Sequence, residues 1–247
     1  MQLTVERLDG ALVSHAEVGG VFQRRVGEIS GLLSCGSVRD MWDGLPSSPR
    51  HLDLFTGTGA GIVAVSGSLS AVRKAPSVTV GVDKFGIKPL GHIPFAASVY
   101  RRSGYSLSKA ETESNVSTIA GDVLIVPADA LAYVGSFSET ASPFPFDLVT
   151  GFSLPVHGTV PEEIVDFLSL VSSIDSYKVP TLFTFAKRSS YQMVNLQAGL
   201  DVAGLSSGWR IYRKPLGLGD SDWDCWILTN CGEVKWSDWD SNPEHPA

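Results

Sequence analysis

The segment His51-Leu-Asp-Leu-Phe-Thr-Gly57-Thr-Gly59-Ala-Gly61 constrains the fold more than any other part of the 247-residue chain. A short apolar run, His51–Phe55, enters a glycine turn, and Ile62, Val65, Leu69 and Val72 then recur at helical spacing until Ala75-Pro76 stops the helix. Strand, glycine turn and helix in that order build a crevice at the strand's carboxyl end, where open α/β sheets bind ligands. The glycines let the backbone approach a ligand closely and take positive φ.

The rest of the chain repeats the alternation. Val78–Val82 reads as a buried strand ending at Asp83, Ser117–Ile119 as a strand before Gly121-Asp122, Asp147–Thr150 and Thr181–Ala186 as two more. Helices are expected over Val21–Leu33, Ala96–Ser108, Val126–Val134 and Val194–Leu205. Another starts at Thr159-Val-Pro-Glu162, with Ile164, Val165, Leu168 and Val171 as its buried face. Gly135–Pro145 reads as a loop. Trp209–Arg213 and Cys225–Thr229 are closing strands about ten residues apart, too close for a crossover helix, so one of them is expected to run antiparallel. The expected fold is α/β: a Rossmann-like, mainly parallel sheet with helices on both faces and a C-terminal antiparallel strand, the class I methyltransferase arrangement. Residues 1–235 form one domain in this reading, with a helical extension over 1–50 and a flexible acidic tail over 236–247.

Three acids follow the strands at βαβ spacing. Asp53 stands at the first strand's end and suits the ammonium of S-adenosylmethionine, directly or through water. Asp83, 22 residues after Gly61, suits ribose hydroxyls, whether of a dinucleotide or of S-adenosylmethionine. Asp122 suits the adenine amino group. Phe55, Gly57, Gly59, Gly61, Lys84 and Val123 complete the expected cofactor contacts. The Gly57-x-Gly59-x-Gly61 spacing differs from the GxGxxG of dinucleotide binders, which disfavours a nicotinamide dehydrogenase.

In order and spacing the chain, from about Phe22 to Thr229, resembles the RrmJ/FtsJ-type ribose 2′-O-methyltransferases, a family that includes viral cap methyltransferases. The resemblance is carried by Asp83-Lys-Phe-Gly-Ile-Lys-Pro-Leu-Gly, Gly121-Asp122, Phe146-Asp-Leu-Val with Pro155, Thr181–Lys187, and above all Arg213-Lys-Pro215 with Ser221 and Asp224 before Cys-Trp-Ile-Leu. It implies a Lys-Asp-Lys-Glu tetrad. Lys187 falls on the central lysine, Asp224 on the glutamate, and Arg25 on the first lysine. Phe152 falls where the family has aspartate, so the tetrad is degenerate; as a loop aromatic, Phe152 is expected either to stack on a base or to pack the loop. His157 in the same loop is an alternative base. Arg188 and Lys214 are expected substrate contacts.

The net charge of −7 argues against capture of nucleic acid by bulk positive charge, yet leaves room for a local groove from Arg73-Lys74, Lys84, Lys88, Arg101-Arg102, Lys187-Arg188 and Arg213-Lys214. The expected partners are therefore RNA, capped in the cap-directed reading, and a protein chain that helps to hold it. Trp223, Trp226, Trp236 and Trp239 suit base stacking or, more ordinarily, core packing and an interface. Cys35, Cys225 and Cys231 form no CxxC pair and read as reduced thiols of a cytoplasmic protein, with no structural metal. No run suits a membrane span. Three functions stay open: an RNA 2′-O-methyltransferase, a methyltransferase on a small molecule or protein, and a non-catalytic RNA- or protein-binding module of the same fold.

Overall fold

The computed structural model describes residues 4–6, 12–14, 26, 29–33, 36–57, 59–84, 122–139, 143–152, 154, 161–188, 190–214 and 224–231. The expected helix Ala96–Ser108, the expected strand Ser117–Ile119, the acidic tail, Arg25 and His157 lie outside these residues.

Strands β1 (Thr4–Glu6) and β2 (Leu12–Ser14) pair antiparallel as a separate ribbon, where the sequence suggested only helix. Residues 29–33 are helical, and α1 spans Gly36–Asp43. Then come β3 (Arg50–Leu54), α2 (Ala60–Ala71), β4 (Val78–Asp83), β5 (Asp122–Pro127), α3 (Ala130–Glu139), β6 (Leu148–Gly151) and α4 (Pro161–Tyr177). The chain closes with β7 (Thr181–Arg188), α5 (Ser190–Val202), β8 (Arg210–Lys214) and β9 (Asp224–Thr229).

Seven of these strands form one sheet in the order β5-β4-β3-β6-β7-β9-β8. β5, β4, β3, β6 and β7 are parallel, and β9 runs antiparallel between β7 and β8. The order reverses at β3, so the switch point that collects ligands in open sheets lies at the carboxyl ends of β3 and its neighbours. This is a Rossmann-like α/β fold: a mainly parallel sheet closed by an antiparallel strand, with helices on both faces.

Alternation along each strand divides the core into two layers. Leu52, Leu54, Val149, Phe183 and Leu228 face α3, α4 and α5; Leu148, Leu182 and Ile227 face α1 and α2. Helix α2 is buried almost all round, from Ala60 to Ser66 and at Leu69, because it is wedged between the sheet and the helical segment carrying Leu32, Leu33, Val38 and Trp42. Helix α4 turns Phe167, Leu170, Val171 and Ile174 to the core; of the expected face, Val171 is buried and Ile164 and Leu168 are half-buried. Val165 is exposed, whereas Ile164 and Leu168 crowd Gly199 of α5, where an added Cβ would meet Leu168 Cδ1 at 2.6 Å.

One stretch differs from its sequence reading in a way that matters for the site. Asp122-Val-Leu-Ile-Val-Pro127 is a strand, paired residue for residue with Val78–Asp83. The next helix starts only at Ala130 and carries Gly135 within it, so neither a helix over Val126–Val134 nor a loop from Gly135 is present. The apolar β-branched run has strand character, and Asp129 marks the helix start by accepting from the N–H groups of Leu131 (3.0 Å) and Ala132 (3.2 Å).

Helix α5 ends in a left-handed glycine, Gly204 at φ 70°, with Leu205 N–H donating to the Leu200 carbonyl and Gly204 N–H to that of Asp201. Leu200 and Leu205 are both buried in the same core layer. Gly204→Ala forces a Cβ into that conformation and is expected to cost about 1 kcal/mol, a fall of roughly 2–4 °C in melting temperature for a domain of this size. Thermal unfolding followed by circular dichroism measures it; an unchanged melting temperature contradicts this account of the helix end.

Candidate functional site

The glycine turn is fastened to the tip of β4. Thr56 N–H donates to the Val82 carbonyl at 3.2 Å, Gly57 N–H donates to Asp83 Oδ2 at 2.9 Å, and Gly59 N–H closes onto the Thr56 carbonyl at 2.8 Å. The Thr56 hydroxyl donates back to the Asp53 carbonyl at 2.8 Å. Gly57 (φ 52°) and Gly59 (φ 78°) sit in the left-handed region, so both glycines serve the turn's shape. Gly61 serves closeness: a Cβ there would lie 2.5 Å from Phe152 Cδ2 and 3.2 Å from Asp53 Oδ1.

Phe55 is the exception in this turn. It also has positive φ, 57°, but carries a bulky side chain. Arg73 (φ 60°) and Lys178 (φ 55°) adopt the same region just beyond the ends of α2 and α4, a common helix ending. Phe55 has no such excuse, and a bulky residue in this region is a strained one. Its ring lines a cleft of about 260 Å³ at the carboxyl ends of β3, β4 and β5. Lys84 and the segment Asp129–Leu131 form other walls, and α4 contributes Glu163, Asp166, Phe167 and Leu170.

The three acids expected to converge do not do so as a set. Asp83 stands at the tip of β4 and holds the turn. Asp53 is 2% exposed and lies beneath the turn, outside the lining of the cleft. Asp122 is displaced altogether: it opens β5 opposite Val78, the first residue of β4, and so lies at the amino edge of the sheet, away from the site. Val123 beside it shares that position. The acid at the carboxyl end of β5 is Asp129, within Pro127-Ala-Asp129-Ala. The apolar run before it, once read as a strand, is the signal that would have found it.

Asp53 sits in a buried polar cluster. Its Oδ1 accepts from the Thr150 hydroxyl at 2.8 Å, and Thr150 Oγ1 lies 2.7 Å from His51 Nε2. Burial pushes the Asp53 carboxyl up to about 7, against the pull of the Thr150 and Thr56 hydroxyls and with a small further push from Asp83. Burial also lowers His51 to about 3, so this imidazole stays neutral.

Phe152 is buried at 8% exposure against Gly61, in the core layer beneath α2. It packs the loop, and the stacking role on a base does not fit that burial. Asp147, just before β6, joins Arg50 at the amino edge of the sheet, with the Arg50 N–H donating to its Oδ2 at 2.7 Å. Arg73-Lys74 also belongs away from the strand tips. Lys74 Nζ donates to the carbonyls of Asp43 and Leu45, beside the end of α1.

The backbone of β7, β8 and β9 gathers the remaining candidates at the carboxyl edge. Phe185 pairs with Trp226 and Arg188 with Asp224, so three steps on β7 match two on β9. The extra residue is a bulge at Ala186-Lys187. Lys214, the last residue of β8, pairs with Cys225 next to Asp224. Lys187, Arg188, Lys214 and Asp224 therefore share one end of neighbouring strands. Cys231 is a free thiol, and the described residues hold no cluster suited to a metal ion and no helix long and apolar enough to cross a membrane.

No protein-family model and no curated protein matches the chain. Among solved structures, the O-methyltransferase from Bacillus cereus in complex with SAH matches at 10% identity and a TM-score of 0.46, over 87% of this chain and 90% of that one. Magnesium protoporphyrin IX methyltransferase from Synechocystis with bound SAM matches at 15% identity and 0.44, over 87% and 81%. Cofactor-bound Rv0187 from MTB matches at 14% and 0.45, over 87% and 86%. The chain spans 36% of the length of WbdD, a bifunctional kinase-methyltransferase that it matches at 15% identity and 0.43.

Two outcomes follow from this geometry. At position 55 the usual order of residues inverts: Phe55→Gly is expected to be more stable than Phe55→Ala by about 1 kcal/mol, because only glycine releases the left-handed strain. Urea denaturation of the two variants decides it, and an alanine variant as stable as the glycine variant contradicts the strain. The second outcome concerns pH. Between the ordinary values of 3.8 and 6.5, the folded protein protonates Asp53 and leaves His51 neutral, while the unfolded chain does the reverse. The two contributions oppose each other. Raised Asp53 favours the fold at low pH and loses that contribution as pH rises through about 7; lowered His51 disfavours the fold as pH falls below 6.5. In Asp53→Asn, stability is expected to fall on acidification below that value, and in His51→Gln to fall as pH rises towards neutrality. Each slope is at most ~1.4 kcal/mol per pH unit, and wild type is flatter than either. Equal slopes in all three proteins contradict the assignment.

Proposed function

We propose that this chain is an S-adenosylmethionine-dependent methyltransferase. The observation that carries this reading is the strand order β5-β4-β3-β6-β7-β9-β8, with a ligand cleft at the carboxyl ends of its first three strands. The residues there fit the group. The cleft walls combine the Phe55, Phe167 and Leu170 side chains with acids, Asp129, Glu163 and Asp166, and a cationic nucleoside needs both an apolar wall and negative charge. Asp83 and Lys84 would face the ribose, and Asp129–Leu131 the base. Asp53 beneath the turn, neutral in the mildly acidic range, would favour the ligand's ammonium once it ionises. When bound, the cofactor supplies a sulfonium methyl that an oxygen in line with it can take.

For the acceptor we propose a ribose 2′-hydroxyl of RNA. Lys187 at the bulge, one residue before the Arg188–Asp224 ladder step, would remove the hydroxyl proton once the lysine has itself lost one, which arginine does not do. Arg188 and Lys214 would hold the phosphates on either side. A second reading, the fold kept and the chemistry lost, rests on one specific observation: Phe152, at the family's aspartate position, is a core residue.

Titration calorimetry with S-adenosylhomocysteine, NAD serving as control, tests the cofactor. Asp129→Ala is expected to weaken binding by roughly tenfold or more. Tritiated methyl transfer to capped RNA tests the acceptor. Lys187→Ala and Lys187→Arg are expected to lower turnover by about 10²-fold with cofactor affinity unchanged. No transfer by wild type that binds the cofactor supports the second reading.

A further inference from the structure

Four side chains on the α2-facing side of the sheet form a single chain of hydrogen bonds. Thr79 Oγ1 stands 3.5 Å from His51 Nδ1, His51 Nε2 stands 2.7 Å from Thr150 Oγ1, and Thr150 Oγ1 stands 2.8 Å from Asp53 Oδ1. The chain crosses β4, β3 and β6, and the parallel register sets it up: His51 pairs with Thr79, and Asp53 with Thr150. None of the four is more than 2% exposed.

Such a chain has a direction, because each member has few protons to give. A neutral imidazole carries one N–H and one bare nitrogen, and each threonine hydroxyl carries one proton. When Asp53 is charged, it takes the Thr150 proton. Thr150 then accepts from His51 Nε2–H, and the bare Nδ1 accepts from the Thr79 hydroxyl. When Asp53 gains a proton and donates it to Thr150, the Thr150 hydroxyl turns its own proton onto Nε2, and His51 carries its proton on Nδ1. To reach that state the Thr150 proton passes to Asp53, the Nε2 proton to Thr150 and the Thr79 proton to Nδ1, and Thr79 regains one from solvent, so one proton has entered and the imidazole has exchanged tautomers.

We propose that His51 and Thr150 are positioning residues for Asp53, and that the tautomer of His51 is set by whether Asp53 is charged. The titratable groups that face Asp53 are His51 on its own strand and Asp83 at the tip of β4, whose charge opposes ionisation. β6 brings only the Thr150 hydroxyl and the turn only that of Thr56, while α2 carries no residue that titrates. The charged carboxylate thus has hydroxyl donors and, among the described residues, no cationic partner. A cation bound above the turn supplies one and selects the Nε2–H form. This last step rests on the proposed binding of S-adenosylmethionine; the link between His51 and Asp53 does not.

Nitrogen-15 NMR of the full chain with labelled histidine tests the link without any ligand, His51 being assigned by its loss in His51→Gln. Between about pH 5.5 and 8.5 the His51 signals are expected to move from Nδ1–H to Nε2–H with rising pH. Asp53→Asn, whose amide always donates, is expected to hold the Nδ1–H form throughout. A single tautomer across that range in wild type, unchanged in Asp53→Asn, overturns the proposal. Affinity for S-adenosylhomocysteine then tests the consequence. It is expected to rise with pH, and Thr150→Val to lower it by roughly tenfold and move its midpoint to higher pH, with Thr150→Ser restoring both. A Thr150→Val protein that is merely less stable, with the wild-type tautomer and pH profile, also overturns it. A tautomer that tracks Asp53 in a protein that never binds the ligand sustains the relay and removes the cofactor reading instead.

Discussion

The central strand buries two ionisable side chains on one face, and much of the structure answers to that. His51 and Asp53 are both lost to water, and neither has an opposite charge beside it among the described residues. An isolated buried charge is costly, so the pair survives by becoming neutral and by hydrogen bonding to Thr79 and Thr150. The folded and unfolded states hold the same number of protons on the two residues over the mildly acidic range, differing only in which residue carries it. Register follows from the same fact. A slip of one residue along β3 would throw His51 and Asp53 into the layer now filled by Leu52 and Leu54 and leave the threonines unmatched.

The glycine turn rests on this layer. Helix α2 approaches Asp53 closely enough that Gly61 has no room for a Cβ, and Phe152 fills the space that remains. With α2 fixed from below and Gly57 tied to Asp83 from above, the turn has little freedom. Phe55 is held in its left-handed conformation by that arrangement and not by its own preference. Strain of this kind persists where the surroundings over-determine the backbone, and here it puts an aromatic ring on the wall of a cleft.

Much of this was legible in the sequence, for identifiable reasons. The strand, turn and helix at Asp53–Leu69, the strands Val78–Asp83 and Thr181–Arg188, and the antiparallel close all left local signals: glycine spacing, β-branched runs and a connection too short for a helix. The buried chain was half visible. His-Leu-Asp-Leu alternates in a strand covered on both faces, which marks two polar groups in the core, but its partners Thr79 and Thr150 come from register between distant segments. Asp122 was misplaced because the edge strand Asp122–Pro127 was missed and its last two residues were read into a helix, which shifted the strand end by several residues and hid Asp129. Phe152 was ambiguous in principle. Whether a loop aromatic packs inward or faces a ligand depends on what stands opposite, and Gly61 lies 91 positions away in the chain.

The carboxyl edge of the sheet has an electrical polarity along its length. At the β3–β5 end stand Asp83 and Asp129, with Glu163 and Asp166 of α4, so acids outnumber the one lysine there, Lys84. At the β7–β8 end β7 and β8 finish in Lys187-Arg188 and Lys214, with Asp224 opening β9 beside them, so cationic residues outnumber acids there. With a screening length of about 8 Å at physiological salt, fields of opposite sign at two ends of a sheet act nearly independently. The acidic end draws a cationic ligand and repels phosphate, and the basic end does the opposite. On the proposed function, a phosphate-bearing acceptor would be kept off the cofactor's half while its neutral hydroxyl could reach the boundary between them. The net charge of −7 describes such an edge poorly, because what an approaching ion meets at close range is the local sign and not the sum.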